Sequence, residues 1–497
     1  MDFIKAVKNS RVGIICSYLL VLIYFGIDRT IEYATDSYAA LMMDDNWKVK
    51  IYDNGRVLQG ALYYLIEQLH LSSGIKYQIS YLSAFLFLGF SIFLLSRVIN
   101  RYFENDILSV VTAFVTIVNP FFVEFFLFIE KGMFCFVILL NVYALYLTER
   151  IFRGDRDDSE GLLTGRNAGR SVLVLISLLI SVLMYQTLIA LYVVLCLAFI
   201  ALNTKEFIKK NIYVACMYLI PMMIAFLLAK FVFPVERLSQ RGSLSESFSA
   251  FFRSIKSVST EKFSYLGGGS FSTWLMILAV IIVLFLVYER RDFIRHFLLI
   301  TYETIGCIVM SFAIVFLNDS EISPRVVYTY ASLFGIIIIY VIAELKKGER
   351  QDRLNYAIKV FSFALIGIIC ISEYTIFHKC FIERYRCNQA DLYLCNIIGE
   401  KIKEYETATG STVDTLCYYS DMARTWQDTG FEKTESSTRA QATGWSRTYS
   451  LNYYLGTDYT EGEPKSELTD YFGSLNWDTY SDEQLIFDGN TLHICIY

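Results

Sequence analysis

The chain has 497 residues, 55% hydrophobic and 16% aromatic with only 19% charged, a composition outside the range of soluble globular domains. Five prolines and 27 glycines exclude fibrous and low-complexity classes, and a net charge of −5 offers no basic footprint for a nucleic-acid partner. Among eleven cysteines no C-x-x-C pair suggests zinc; Cys16, Cys135, Cys196, Cys216, Cys307 and Cys370 lie in apolar runs, and the five of the tail, an odd number, imply no disulfide framework.

A helix needs about 20 apolar residues to cross a bilayer. Hydropathy predicts about eleven spans, near 11–28, 76–98, 106–127, 131–148, 171–185, 187–203, 212–233, 273–289, 294–317, 326–344 and 358–377. The first is too long for the apolar part of a cleaved signal, and no small-residue cleavage site follows it. The run 171–203 is too long for one span and short for two, and Tyr185-Gln186-Thr187 is its polar break. Positive charge decides for two helices. With the N-terminus inside, Lys5, Lys8 and Arg11, Arg97 and Arg101, Arg150 to Arg170, Lys205 to Lys210, Arg290 to Arg295 and Lys346 to Arg353 all fall on the cytoplasmic side. A single helix would split these basic loops between the two faces. The outside then receives the loops 29–75 and 234–272 and the tail 378–497. The fold class expected is an all-α polytopic bundle over 1–377 with a small extracytoplasmic α+β domain over 378–497.

The first outer loop carries Asp36-Ser37-Tyr38, then Asp44-Asp45-Asn46-Trp47, then Asn54-Gly55-Arg56. Apolar residues from Val57 to Leu69 recur at helical spacing and predict an amphipathic helix over 56–70, lying on the membrane surface. Asn119-Pro120 precedes Glu124, Glu130 and Lys131 at the second outer turn; Glu124 either marks the end of its span in water or faces a cavity or a partner. The loop 234–272 is Ser-rich, carries Arg237, Arg241, Arg253 and Lys256, and ends in Gly267-Gly268-Gly269; it reads as a mobile loop or as a lid. Pro324-Arg325 opens the tenth span, where the arginine either snorkels or binds a phosphate. In the tail, 391–405 reads as an amphipathic helix, and Val413–Tyr419 and Leu492–Tyr497 as strands. Trp426, Trp445 and Trp477 serve either as core and interface anchors or as platforms for sugar rings.

An acidic first loop at the membrane interface suits transfer of a sugar from a membrane-bound phosphate donor. A carboxylate takes the acceptor's proton, and a cation offsets charge growing on the leaving phosphate. Asp36 with Arg56 or Arg325 supplies those parts; a turn or helix cap is the structural alternative for Asp36-Ser37.

The order of these motifs resembles the GT-C superfamily of polyprenyl-phosphate-dependent glycosyltransferases, and more narrowly the bacterial Gtr-type glucosyltransferases that decorate O-antigen and other surface glycans. The residues carrying it are Asp36-Ser37-Tyr38, Asn54-Gly55-Arg56, Asn119-Pro120 with Glu124, Tyr185-Gln186 and Pro324-Arg325, across roughly 15–350. The resemblance implies an inverting enzyme of the bacterial plasma membrane that uses an undecaprenyl-phosphate-sugar, often glucose, and a surface-glycan acceptor. Its implied partners are a donor synthase and a small flippase. It places the catalytic acids at Asp36, Asp44, Asp45 and Glu124, donor-phosphate contacts at Arg56 and Arg325, and substrate contacts at Tyr38, Asn54, Tyr185 and Gln186. Ser37 stands where the commonest pattern has a second acid, so the base remains either Asp36 or the Asp44-Asp45 pair. That pair also permits a divalent metal, Mg or Mn, without requiring one. The competing classes are a polysaccharide polymerase or ligase, a polytopic transporter or flippase, and a scaffold whose tail binds glycan.

Overall fold

The computed structural model describes residues 11–26, 33–43, 45–153, 165–235, 244–260, 270–313, 323–347, 353–422, 438–477 and 480–496. Asp44, Arg237, Arg241, Gly267-Gly268-Gly269 and Trp426 lie outside them. The chain divides into two compact units. The first comprises Met1–Asp28, Trp47–Phe126 and Glu130–Phe377, the second Arg29–Asn46, Leu127–Ile129 and His378–Tyr497.

The first unit is a helical bundle. Helix α1 (Arg11–Phe25) precedes α2 (Thr35–Met42), which belongs to the second unit. A π-turn at Val49–Asp53 leads into α3 (Val57–Gln68), and the long α4 (Ser73–Phe103) and α5 (Asp106–Ile117) follow. Asn105 caps α5 by accepting from the Leu108 amide at 3.0 Å. Then come α6 (Val123–Leu127), α7 (Lys131–Arg153), α8 (Gly165–Met184), α9 (Ile189–Leu202), α10 (Phe207–Leu227), α11 (Leu244–Thr260), α12 (Ser270–Tyr288), α13 (Phe293–Phe312) and α14 (Leu333–Lys347).

Among the described residues, seven helices are long and apolar enough to cross a membrane, eight with α5 and α6 taken as one span bent by 57°. The helices Arg11–Phe25, Gln186–Leu202 and Thr273–Tyr288 occupy the other three predicted segments and are shorter. At 1.5 Å per residue, the 14 residues of α9 reach about 21 Å, less than the roughly 30 Å hydrocarbon core. All of them are buried, as expected of a helix apolar on every side.

Burial separates inner from outer helices. The most apolar stretch of Tyr328–Lys347 is 89% buried, whereas those of Phe207–Val232 and Phe293–Phe312 are 28% and 22% buried. The outer pair leaves Ile208, Leu219, Met223, Ile294, Leu298 and Ile305 exposed. Apolar surface on that scale, repeated along successive helices, is the signature of contact with lipid, and the chain is a polytopic membrane protein. The inner helices pack closely: a Cβ at Gly335 of α14 would meet the Thr116 backbone of α5 at 2.6 Å.

Two expectations are corrected. The stretch 234–272 is not all loop, since Leu244–Thr260 is helical, with Phe251 buried and Phe248 and Phe252 exposed. The last span and the amphipathic helix of the tail are one element, α15 (Arg353–Thr409). No glycine or proline interrupts residues 368–398, and the helix stops at Gly410, whose φ of +74° closes it in the left-handed region.

In the second unit α15 packs on a four-stranded sheet of β1 (Thr415–Ser420), β2 (Thr460–Glu461), β3 (Leu485–Asp488) and β4 (Thr491–Ile496), in the order β2-β1-β4-β3. β1 runs parallel to β2 and β4, and β3 and β4 form a hairpin turned at Gly489, φ +61°. Both expected strands are present, and alternation along β1 covers both faces. Leu416 and Tyr418 pack with Leu394, Ile398 and Ile402 of α15 and Leu451 of α16 (Arg447–Leu455). Cys417 and Tyr419 pack with Phe472 of α17 (Ser466–Gly473).

Candidate functional site

Irregular backbone at membrane depth is tolerated where protein buries it or where it lines a cavity. In the first unit the breaks at Asn54–Arg56, Asn119–Pro120, Tyr185–Gln186 and Ser323–Val327 are linked by contacts, and they hold the predicted motifs.

The first pair joins Asn54-Gly55-Arg56 to Tyr185-Gln186. The Gln186 side-chain amide donates to the carbonyls of Asn54 at 3.0 Å and Gly55 at 3.1 Å. Gly55 has φ +66°, which favours glycine, and an added Cβ would press on Val235 at 3.3 Å. This turn carries Arg56 over the Tyr185 ring, 4.4 Å from its centroid, in cation–π geometry. Arg56 also donates to the Gln59 side-chain Oε1 at 3.4 Å, and both Tyr185 and Gln59 are buried. The predicted surface helix does form as α3, with Leu62, Leu65 and Leu69 exposed and Gln59 and Gly60 turned inward.

The second pair joins Asn119-Pro120 and Glu124 to Pro324-Arg325. Asn119 accepts from the Phe121 amide at 3.0 Å and donates to Ser332 at 3.0 Å, tying the bend after α5 to the segment before α14. Glu124 is 6% exposed. It accepts from the Arg325 amide at 2.6 Å and from the guanidinium at 2.7 Å. Of the two readings for Glu124, the buried and partnered one therefore holds. The two pairs connect through aromatic contacts, Tyr185 to Phe125 at 6.1 Å and Phe125 to Tyr328 at 5.2 Å between centroids.

A third contact had no sequence signal. Lys50, in the π-turn, donates to the buried Glu130 at 3.0 Å. Burial pushes the Glu130 carboxyl up, but Lys50 and the Tyr63 hydroxyl together outweigh it and hold the group below its ordinary value of 4.5. A carboxyl depressed on folding stabilises above its unfolded pKa and loses that contribution as pH falls through the folded one. Unfolding of the wild type is therefore expected to become easier below about pH 4, and Glu130→Gln to flatten that dependence. Thermal unfolding across pH 3–7 checks this; an identical acid slope in both proteins would refute it.

The remaining predicted residues lie in the second unit. Asp36 sits in the first turn of α2, half-buried, and its Oδ1 accepts from the indole N–H of Trp445 at 2.9 Å. The Ser446 hydroxyl donates to the Thr35 carbonyl at 2.7 Å, and the Ser37 hydroxyl accepts from the Ile129 amide at 3.1 Å. Tyr38 is fully buried, hydrogen-bonded to the Tyr454 hydroxyl, and accepts from Asn388 at 3.1 Å. Burial drives its hydroxyl pKa up, with Tyr454 adding to the shift. Tyr38 is thus a packing residue of α2. Asp45 is exposed with φ +60°. Among the described residues no group of three or more His, Cys, Asp or Glu is arranged to hold a metal ion.

Trp445 is 66% exposed, so it is no core anchor, while Trp477 packs on Phe472. The Trp445–Asp36 contact spans 409 residues of sequence, a separation that no local pattern reports.

No family model matches this chain, and no curated protein does. Among solved structures the chain is similar to the archaeal oligosaccharyltransferase AglB from Archaeoglobus fulgidus, determined in complex with an inhibitory peptide and a dolichol-phosphate. The identity is 11% and the TM-score 0.42, over 91% of this chain and 64% of that one, so this chain spans under two thirds of that protein's length.

Proposed function

We propose that this protein is a glycosyltransferase that moves a sugar from a polyprenyl-phosphate carrier to a glycan acceptor on the extracytoplasmic face of the membrane. The observation carrying this reading is the paired motifs of the first unit. Interrupted apolar segments hold Arg56 on Tyr185 and Arg325 on Glu124. Cations fixed by aromatic and carboxylate partners at backbone breaks suit an anionic headgroup whose tail remains in lipid. In that reading Arg56 and Arg325 face the donor phosphate, and Glu124 orients Arg325.

Asp36 takes the acceptor proton in the same reading. The Trp445 indole donates to its Oδ1, and the exposed ring of Trp445 offers an apolar face to a pyranose. A donor synthase and a small flippase would supply the carrier, and glucose is the sugar that the Gtr resemblance favours. Transport is the weaker reading, because the ionisable motif residues sit at breaks and the sequence carries no clear repeat between its halves.

Glycan analysis by mass spectrometry of a deletion strain, complemented with variants, tests this. Loss of a side-branch hexose supports the transferase, and loss of chain length supports a polymerase. Trp445→Ala is expected to raise the acceptor KM by about fivefold with a smaller change in donor KM, from loss of one stacking contact worth about 1 kcal/mol. Trp445→Phe keeps a ring and should recover most of the acceptor affinity. Unchanged acceptor kinetics in Trp445→Ala would remove the platform role.

A further inference from the structure

Helix α13 has one buried side, carrying His296, Ile300, Glu303, Cys307 and Ser311 at helical spacing, while Phe297, Leu298, Ile305 and Val309 are exposed. Polar groups toward both ends of that side have partners. The Ser311 and Thr329 hydroxyls are hydrogen-bonded at 2.8 Å, and the Cys307 thiol donates to the Thr329 carbonyl at 3.2 Å. His296 Nδ1 and the Tyr340 hydroxyl of α14 are hydrogen-bonded at 2.7 Å. Glu303, between them, is the exception. It lies about 15 Å along the axis beyond Phe293, near the middle of a hydrocarbon core of about 30 Å. It is 1% exposed, and neither carboxyl oxygen has a hydrogen-bond partner.

Other buried acids of this bundle are compensated: Glu124 by Arg325, Glu130 by Lys50 and Glu149 by Arg101. Glu303 instead faces Tyr302 and Cys307 of its own helix and Tyr340 and Glu344 of α14, none of them a cation. Around it, α9 places Cys196 beyond Tyr302, and Asn211 of α10 accepts from the Tyr302 hydroxyl at 2.6 Å. Lys210 of α10 turns elsewhere, to the Asn203 carbonyl and the Phe152 ring. Helix α12 presents Phe285 to His296 and Tyr340, and α11 meets α13 through Phe251 and Phe312 at its far end. An unpaired carboxylate is costly at that depth, and a bound proton is the smallest cation that removes the charge. Among the described residues no group of three or more His, Cys, Asp or Glu could hold a metal ion there instead.

We infer that Glu303 is a proton-binding site in the membrane interior, loaded from the turn 289–292 through His296 and Tyr340. In that turn Glu289 is half-buried and Asp292 exposed, and both lie within electrostatic reach of His296. Tyr340 lies within reach of Glu303 as well as bonded to His296. His296 takes a proton at its other ring nitrogen and gives one from Nδ1 to the Tyr340 oxygen, as the Tyr340 hydroxyl releases its own toward Glu303. One proton moves, and the histidine and tyrosine end unchanged. Tyr340 and Glu303 are not hydrogen-bonded to each other, so the last transfer runs through a bridging water or a turn of the glutamate side chain. The inference does not depend on the transferase reading.

The test is infrared spectroscopy of the full-length protein in phosphatidylcholine vesicles at neutral pH. Glu373 of α15 is also buried without a partner, so the Glu303 signal is taken as the difference between wild type and Glu303→Gln. That difference should show the carbonyl stretch of a protonated carboxyl, shifting when the medium is changed to D₂O. In Tyr340→Phe and in His296→Phe the band should persist while its shift slows about tenfold, the rate cost of losing one hydrogen-bonded relay. Wild type alone supplies a second measurement. Dicyclohexylcarbodiimide, which partitions into lipid, adds across one C=N bond the O–H of a protonated carboxyl; the acyl group then moves from oxygen to nitrogen, and no group leaves. Peptide mass spectrometry should find this adduct on Glu303. Absence of both the band and the adduct would mean an ionised Glu303 and overturn the site. An exchange rate unchanged in both relay variants would overturn the loading route and leave a structural acid.

Discussion

Asp36→Asn is expected to reduce sugar transfer by about 10²- to 10⁴-fold, the usual contribution of a general base, while protein level and membrane insertion stay normal. The substitution is close to isosteric. The asparagine carbonyl can still accept from the Trp445 indole, and the contacts of Thr35 with Ser446 and of Ser37 with Ile129 do not involve the carboxylate. The fold of α2 therefore survives, and what is lost is the negative oxygen able to take a proton. The measurement is transfer from a polyprenyl-phosphate-sugar by purified protein, beside quantified membrane protein. Wild-type transfer would remove Asp36 as base and send the role to the Asp44-Asp45 pair, where Asp44→Asn with Asp45→Asn is the corresponding experiment.

Glu124→Gln is expected to destabilise the protein by about 3 kcal/mol, the low end for breaking a buried ion pair. The Glu124 side chain is 8% exposed and its Arg325 partner 27%, so some of the arginine's charge remains in water. A glutamine retains one accepting oxygen for the Arg325 amide but turns its NH₂ group toward the guanidinium. Arg325→Ala strands the carboxylate instead, and should destabilise by a similar amount. The two losses share one interaction, so the double variant Glu124→Gln with Arg325→Ala should cost less than their sum. Chemical unfolding in detergent measures all three. Strict additivity would mean that the pair is not coupled. Activity supplies a second reading: Arg325→Ala should raise donor KM far more than acceptor KM, and equal effects on both would count against a phosphate contact.

Much of the architecture was legible before any coordinates. Apolar runs of span length, basic connectors and the polar interruption at Tyr185-Gln186 predict a multi-helix membrane bundle, and alternation at Val413–Tyr419 and Leu492–Tyr497 predicts a sheet in the tail. These signals are local, since helix and strand periodicity and transfer free energy act over a few to about twenty residues. The misreadings were of junctions. The predicted last span ends at 377 and the predicted tail helix begins at 391, yet with no proline or glycine to stop it α15 runs on through the residues between. The Ser-rich composition of 244–260 hid a helix whose buried side is narrow.

The motifs were likewise legible as isolated words. Their pairing was not: Gln186 on Asn54 and Gly55, Arg325 on Glu124, and Trp445 on Asp36 join residues 132, 201 and 409 positions apart. A lone arginine at the end of an apolar run reads equally as a snorkelling side chain or as a binding group, and only the partner distinguishes them. Sequence by itself determined that this chain spans a membrane, where its helices and sheet lie, and which acids and arginines sit at span ends, because hydrophobicity, periodicity and charge are properties of short segments. Tertiary structure alone decided which of those residues meet, that the tail rather than the first loop itself holds Asp36, and that Tyr38 is packing, because long-range contacts depend on how helices pack and leave no trace in local composition.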